Sequence, residues 1–211
     1  MQDRSRHTVE AILEATAQVL VSRGYEKTTT GGVAERAGVS IGTLYQYFHN
    51  KESLMASLVD RHVDDVLAMV EAALRRHAQA QPEVLLGAVI RASLDAHRLD
   101  PKLHKVLIEQ LPRTGKLEKA LDLGARLSTL LQDRLQQKFE HLPRARVRMI
   151  SFVLETTIEA LTHRAVIDSP AWLRSGALEA EALALLAPYL RHATRQTKAT
   201  STSHPRNPEA A

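Results

Sequence analysis

Apolar residues recur every three or four positions along most of this chain, and that spacing constrains the fold more than any other feature. The first such run contains Val9, Ile12, Leu13, Ala17 and Leu20. The spacing matches the turn of an α-helix, whereas a half-buried strand needs alternating apolar positions. Helix-favouring Ala, Leu, Glu, Arg and Gln also dominate, and runs of β-branched and aromatic residues are nearly absent. The chain is therefore predicted to be all-α.

Glycines and cap residues divide the first fifty positions into short helices. Gly24 is placed to end the first helix, and Thr29 to cap the second. Gly38 is expected to break the second helix in a left-handed turn. Ser40 then caps a very short third helix, and Asn50 caps a long fourth one.

The rest of the chain is predicted to be helical almost throughout, with one loop and one tail. The segment DSPAWLRSG is predicted to be a loop, and the polar residues 196–211 to be disordered. The predicted helices are 51–78, 82–99, 101–111, 116–141, 144–168 and 177–195.

The short third helix has two different faces. On a helical wheel, Leu44 and Phe48 point to the same side, one turn apart, and are expected to be buried. Gly42, Thr43 and Gln46 point roughly the other way, so the outward face is small and polar.

Such a face suits the DNA major groove, which admits one helix. Small residues allow close approach of the backbone, while Thr43 and Gln46 carry groups that can bind base edges. Tyr45 and Tyr47 flank this face and can reach the phosphates on either side. Lys51, at the start of the next helix, can hold a phosphate together with free backbone N–H groups.

Residues 28–54, TTTGGVAERAGVSIGTLYQYFHNKESL, resemble the DNA-binding signature of TetR-type (AcrR-like) bacterial transcriptional regulators. The resemblance implies an N-terminal three-helix helix-turn-helix domain, residues 1–50. It further implies an effector-binding and dimerisation domain, residues 51–195, in a protein of about nine helices. It also implies a homodimer that binds a palindromic double-stranded DNA operator and is released by a small-molecule effector.

By position, the resemblance implies a set of DNA contacts in the second, third and fourth helices. Gly31 and Gly32 depart from the family pattern, because larger and often charged residues usually stand there. The implied contacts are Thr29, Thr30, Ser40, Ile41, Gly42, Thr43, Tyr45, Gln46, Tyr47 and Lys51.

Helix 144–168 is apolar on more than one side, which indicates that it is buried by more than its own domain. Val147, Ile150 and Leu154 belong to one stripe, and Met149 and Phe152 belong to another. We expect one stripe to pack within the chain and the other against a second copy. A buried central helix of a monomer is the alternative.

Polar residues on otherwise apolar helices are the candidates for effector binding. Glu155, Glu159 and His163 form one stripe that can chelate a metal, but a solvated or salt-bridged stripe explains them better. His62, His97 and His104 are each expected to be packing or surface histidines rather than metal ligands. No metal and no cofactor is therefore predicted. The effector candidates are His97, Arg98, His104, Gln110, Glu155, Glu159, His163 and Trp172.

Composition narrows the function further. The chain has no cysteine, which excludes disulfides and thiolate metal sites and suits a reducing cytoplasm. No apolar run approaches the roughly 18 residues of a membrane span, and no signal peptide is recognised. Most of the net charge of +4 lies in residues 191–211, so DNA binding by the N-terminal part depends on where its charges are placed.

The predicted function is a cytoplasmic repressor and not an enzyme, because no catalytic motif is found. One alternative is an activator or global regulator that needs no small effector. Another is a helical metal-binding or enzymatic bundle that carries this N-terminal unit.

Overall fold

The computed structural model describes residues 2–98, 101–110 and 117–195. Within these ranges the chain forms ten helices and no strand, so the all-α prediction is confirmed. In chain order the helices are α1 (Gln2–Arg23), α2 (Thr30–Ala37), α3 (Ile41–Tyr47), α4 (Lys51–Arg76), α5 (Pro82–Arg98), α6 (Pro101–Gln110), α7 (Leu117–Lys138), α8 (Arg144–Asp168), α9 (Pro170–Ser175) and α10 (Ala177–Arg195).

The predicted caps of the N-terminal helices are confirmed. The side chains of Thr29, Ser40 and Asn50 each accept a hydrogen bond from a backbone N–H in the first turn of the helix that follows. Gly24 and Gly38 have φ angles of 74° and 67°, the left-handed conformation expected where a helix ends at glycine.

The segment predicted as a loop, DSPAWLRSG, contains a helix, α9, so that prediction was wrong. Pro170 starts this helix with its fixed φ angle, and Gly176 follows it with a φ of 75°. Leu173 is fully buried and anchors the single turn in the core. This short helix raises the number in the described ranges to ten, one more than expected.

Two apolar clusters form the interior, and α4 contributes to both. The first half of α4 packs with α1, α2 and α3. Its second half packs with α5, α7, α8, α9 and α10. Movement of α4 therefore affects both parts of the molecule.

Helix α6 also reaches the N-terminal cluster, through Leu107. On the surface, Arg61 of α4 lies 3.9 Å from the carboxylate of Glu14 on α1. The N-terminal helices are thus held by α4 and α6 together.

None of the helices in the described ranges is long and apolar enough to cross a membrane. The predicted disordered tail, residues 196–211, lies outside the described residues.

Candidate functional site

Local hydrogen bonds fix both ends of α2. Thr29 Oγ1 accepts from the Gly32 N–H at 3.1 Å, which fixes the start of α2. After Gly38, the N–H of Val39 returns to the carbonyl of Ala34 at 3.0 Å. The bond from Val39 to Ala34 holds the turn from which α3 begins.

Helix α3 is held by its apolar side, as the sequence predicted. Leu44 is fully buried and Phe48 is 5% exposed. At its N-terminus, Ser40 Oγ accepts from the Thr43 N–H at 3.0 Å and lies 2.8 Å from Thr43 Oγ1. The Thr43 hydroxyl is thus held close to the tip of the helix.

The other side of α3 is open. Gly42 and Gln46 are exposed, Ile41 is 44% exposed and Tyr45 is 46% exposed. A Cβ atom added at Gly42 would meet nothing closer than Ser40 Oγ, at 3.8 Å. Packing within the chain therefore does not require a glycine there, and the lack of a side chain leaves room for an external partner.

Helices α2 and α3 are also joined by their side chains. The hydroxyl groups of Thr30 and Tyr45 lie 3.1 Å apart, while Tyr47, on the other flank, is half-buried. This contact orients Tyr45 at the edge of the open face.

Lys51 is positioned by Tyr25, a contact that the sequence did not predict. Its ammonium donates to the Tyr25 carbonyl at 3.1 Å and lies 4.0 Å from the centre of the Tyr25 ring. This places a cation at the N-terminus of α4, where backbone N–H groups also attract anions.

A cavity of about 80 Å³ lies between α4, α5, α6, α7 and α8. Most of its wall is apolar, with valines from α4 and leucines from α7. Its polar lining comprises His62, Ser93, His97, His104, Glu155, Glu159, Thr162 and His163.

Five of the predicted effector residues line this cavity: His97, His104, Glu155, Glu159 and His163. Two others lie elsewhere. Arg98 binds Asp95 at 2.7 Å and the Leu173 carbonyl, and Trp172 is 56% exposed and does not line the cavity. The side chain of Gln110 lies outside the described residues.

Sequence reasoning did not select His62 as an effector residue. This histidine belongs to the long apolar face of α4, where a single polar residue gives no signal of what it meets from other helices. Its Nε2 lies 2.7 Å from Nδ1 of His104.

Burial governs the protonation of the polar groups in the cavity. It lowers the pKa of His62 to about 4 and that of His97 to about 3, and it lowers the pKa of His104 as well. These imidazoles are therefore neutral at pH 7. Burial, with the neighbouring charge of Glu159, raises the pKa of Glu155 to about 7.

Two family models match the sequence. The model described as bacterial regulatory proteins, tetR family, matches residues 12–58. The model described as tetracyclin repressor-like, C-terminal domain, matches residues 81–190, just over half of the chain. Together they cover the helix-turn-helix and most of the wall of the cavity.

Several curated relatives of the chain are named as transcription regulators. The activator FasR of Mycolicibacterium smegmatis is 34% identical over 98 residues, which are 46% of this chain and 44% of that protein. The regulator BetI of Paraburkholderia xenovorans is 29% identical over 171 residues, 81% of this chain and 82% of BetI. The chain thus matches less than half of FasR and most of BetI.

Solved structures share the fold. A transcriptional regulator from Rhodococcus sp. RHA1 superimposes with a TM-score of 0.70 at 22% identity, covering 87% of this chain and 96% of its own. The fatty acid degradation regulator FadR of Bacillus halodurans superimposes with a TM-score of 0.62 at 21% identity, covering 90% of this chain and 96% of its own.

Proposed function

Because the chain belongs to the TetR family of bacterial regulatory proteins and is a DNA-binding transcription regulator, we propose that it acts as a homodimeric repressor. In this proposal a small effector binds the cavity between α4 and α8 and releases the protein from a palindromic operator in the cytoplasm. Residues 1–50 read the DNA, and residues 51–195 bind the effector and form the dimer.

The open face of α3 is the observation that carries this proposal. Leu44 and Phe48 hold the helix in place, while Gly42 and Gln46 are exposed on the opposite side. A helix with a small polar outer face can enter the major groove far enough for Thr43 and Gln46 to reach base edges. Lys51, at the N-terminus of α4, supports a phosphate contact that fixes the register.

Exposed apolar side chains on the last long helices support the dimer. Met149 and Phe152 of α8 are 55% and 59% exposed, and Leu185 of α10 is 59% exposed. Water contact of such side chains is unfavourable, and a second copy that packs its α8 and α10 against them would bury all of them. A dimer presents two copies of α3, which read half-sites about 34–36 Å apart or a multiple of that distance.

The cavity supports an effector with an apolar body and at least one polar group. Its valine and leucine walls favour the apolar part, and its histidines and carboxyls can bind the polar part. The structural similarity to a fatty acid degradation regulator agrees with an apolar effector. Because α4 borders the cavity and also packs against α1 to α3, an effector that displaces α4 changes the spacing of the two α3 helices.

Activation of transcription is the second candidate function. It is favoured by the similarity to FasR, which is named an activator. The position of the operator separates the two functions, because a repressor site overlaps the promoter and an activator site lies upstream of it.

A cavity-filling variant tests effector control. Compounds that raise the unfolding temperature of the chain are first selected, since a ligand specific for the folded state stabilises it. The selected compounds are then expected to release operator DNA from the wild type but not from Val89→Phe, because the phenyl ring of the variant occupies the cavity. Val84→Phe is the matched control on the same helix, because Val84 is 55% exposed and lies outside the cavity.

The proposal of effector control is contradicted if the selected compounds release DNA equally well from Val89→Phe and from the wild type. It is also contradicted if they stabilise the chain without any change in operator affinity.

A further inference from the structure

Three imidazole rings from three helices meet in the wall of the cavity. They belong to His62 of α4, His97 of α5 and His104 of α6, and each offers a ring nitrogen within 4.8 Å of the other two. The ring centres of His97 and His104 lie 4.0 Å apart, and those of His62 and His104 lie 4.7 Å apart. Such close packing of three polar rings in an apolar wall requires a reason other than burial.

The hydrogen bond of His97 leaves a lone pair on its other ring nitrogen. Nδ1 of His97 lies 2.7 Å from the Ser93 carbonyl, to which it must donate, so Nε2 of this neutral ring carries the lone pair. A bond of this kind from the second ring nitrogen to a carbonyl is what orients histidines that bind metals.

His104 adds a buried nitrogen that has nothing to bind. Its side chain is 5% exposed, and among the described residues Nε2 has no hydrogen-bond partner. Leaving a buried polar atom unpaired is energetically unfavourable. The other nitrogen, Nδ1, lies 2.7 Å from Nε2 of His62, and these two atoms share a single proton.

We propose that His62, His97 and His104 together bind one divalent transition-metal ion, of the class of Zn²⁺, Co²⁺ and Ni²⁺, in the effector cavity. Imidazole nitrogen suits these ions, whereas Mg²⁺ and Ca²⁺ require oxygen ligands. Burial keeps the three rings neutral at pH 7, the form that binds metal.

The distances require only small side-chain movements. At Zn–N bond lengths of about 2.0–2.1 Å, two nitrogens on a tetrahedral ion are about 3.3 Å apart. The hydrogen bond between His104 Nδ1 and His62 Nε2 must therefore break so that each ring turns a lone pair to the ion, and the three ligand nitrogens, within 4.8 Å of one another, must move closer together. The cavity, at about 80 Å³, also has room for a water as the fourth ligand, since one water needs about 10–15 Å³.

Nearby groups can complete the site. The His163 ring lies 5.0 Å from that of His104, and its Nδ1 is 3.8 Å from the carboxylate of Glu159. His163 can serve as a fourth ligand, and the Glu159 carboxylate adds negative charge that favours a cation.

An ion at this position would also link α4 and α6, the two helices that pack against the N-terminal helices. Helix α4 follows α3 directly, and Leu107 of α6 packs in the cluster that contains α1. We therefore expect bound metal to change the affinity for operator DNA, a consequence that rests on the proposed function. The binding of metal itself does not depend on the proposed function.

The test uses the full chain after chelator treatment and dialysis. Titration with Co²⁺, followed by calorimetry and visible absorption, is expected to give one ion per chain with the intense bands of a tetrahedral site. Zn²⁺ should displace the Co²⁺ and raise the unfolding temperature. His97→Gln and His104→Gln each remove one ligand, so each should weaken Co²⁺ binding by more than the about 10- to 100-fold typical of losing an outer-shell partner.

His141→Gln is the matched control, because His141 is an exposed histidine outside the cluster. It should bind Co²⁺ as the wild type does. Circular dichroism establishes that each variant is folded, and if the buried positions do not tolerate Gln, the half-buried His62→Gln replaces them. The metal site is overturned if the wild type takes up no Co²⁺, or if folded ligand variants bind it as tightly as His141→Gln.

Operator binding, measured in the same metal-free and metal-loaded samples, separates this inference from the proposed function. Operator binding without uptake of metal overturns the metal site and leaves the proposed function intact. Uptake of metal without operator binding in either state contradicts the proposed function but supports the metal site. Equal operator affinity in both states overturns the coupling between metal and DNA.

Discussion

At the scale of single residues, the open face of α3 has few groups with which to read DNA. Gly31 and Gly32 of α2 carry no side chain, so in the proposed complex with DNA the base contacts fall mainly to Thr43 and Gln46. Tyr45 and Tyr47 stand at the edges, where phosphates lie when a helix occupies the major groove. Sequence-specific binding should therefore depend on very few side chains.

We predict that Gln46→Ala and Thr43→Ala change the preferred base sequence, while Tyr47→Phe does not. Each of the first two removes a side chain that faces base edges in the proposed complex, and a good base contact contributes about 1–3 kcal/mol of discrimination. The motifs selected from random DNA by the three variants provide the measurement. An altered motif for Tyr47→Phe alone would contradict these assignments.

Glu155 gives the molecule a pH dependence of stability. Its pKa rises from 4.5 to about 7 in the folded chain because of burial and of Glu159. Between these values the unfolded chain loses the proton and the folded chain keeps it, so the free energy of unfolding falls as pH rises from 4.5 to 7. Below pH 4.5 the carboxyl is neutral in both states.

Glu155→Gln removes this contribution, so we expect the wild type to lose stability relative to the variant between pH 4.5 and 7. Urea unfolding at several pH values measures the difference. A constant difference across that range would mean that Glu155 ionises normally.

Residue by residue, the sequence predicted local features and missed contacts between distant segments. The caps at Thr29, Ser40 and Asn50 follow from residue type and position, because the bonds span only three residues. The contact of Lys51 with Tyr25 and the cluster around His104 join side chains far apart in the chain. Apolar periodicity carries no information on such pairs.

At the scale of helices, two glycines of the helix-turn-helix, Gly31 and Gly38, have different roles. Gly38 has a φ of 67°, a conformation that residues with a side chain rarely adopt. Gly31 lies within α2, and a Cβ added there meets nothing within 4 Å. The first glycine is required by the backbone, and the second is not.

We therefore expect Gly38→Ala and Gly31→Ala to have opposite effects on stability. Alanine at position 38 is strained and should lower the free energy of unfolding by about 1 kcal/mol or more. Alanine at position 31 should raise it by up to about 1 kcal/mol, because alanine favours helix more than glycine does. Denaturant unfolding of both variants measures this, and equal effects would contradict the assigned backbone roles.

Helix limits were predicted well where a cap or proline marks them, and less well elsewhere. The prediction for α8, residues 144–168, agrees with the structure because Pro143 precedes it. Helix α9 was missed because its six residues are too few for a periodic pattern. Its stability comes from Leu173, whose burial depends on the other helices.

At the scale of the whole molecule, the proposed function needs two chains, since one copy of α3 can reach only a few bases. Apolar side chains exposed on α8 and α10 are the surface that we propose for the contact between the two chains. Sequence periodicity showed that α8 is apolar on two sides, and the structure identifies Phe152 as exposed in the single chain.

Phe152→Arg is expected to convert the dimer to a monomer, because it places a charge in the apolar contact. The folded chain should remain intact, since the side chain is 59% exposed without a partner. Analytical ultracentrifugation measures the mass of the protein in solution. Operator affinity should fall when the dimer is lost. Val84→Arg, at a similarly exposed apolar position on α5, serves as the control. An unchanged mass for Phe152→Arg would place the dimer contact elsewhere.

Selection of binding sites from random double-stranded DNA by the full chain tests the central claim most directly. A homodimer that reads the major groove with α3 should enrich two inverted half-sites, centred about 10–10.5 base pairs apart or at a multiple of that spacing. Enrichment of no sequence, or of a single half-site without its inverted copy, would contradict the account.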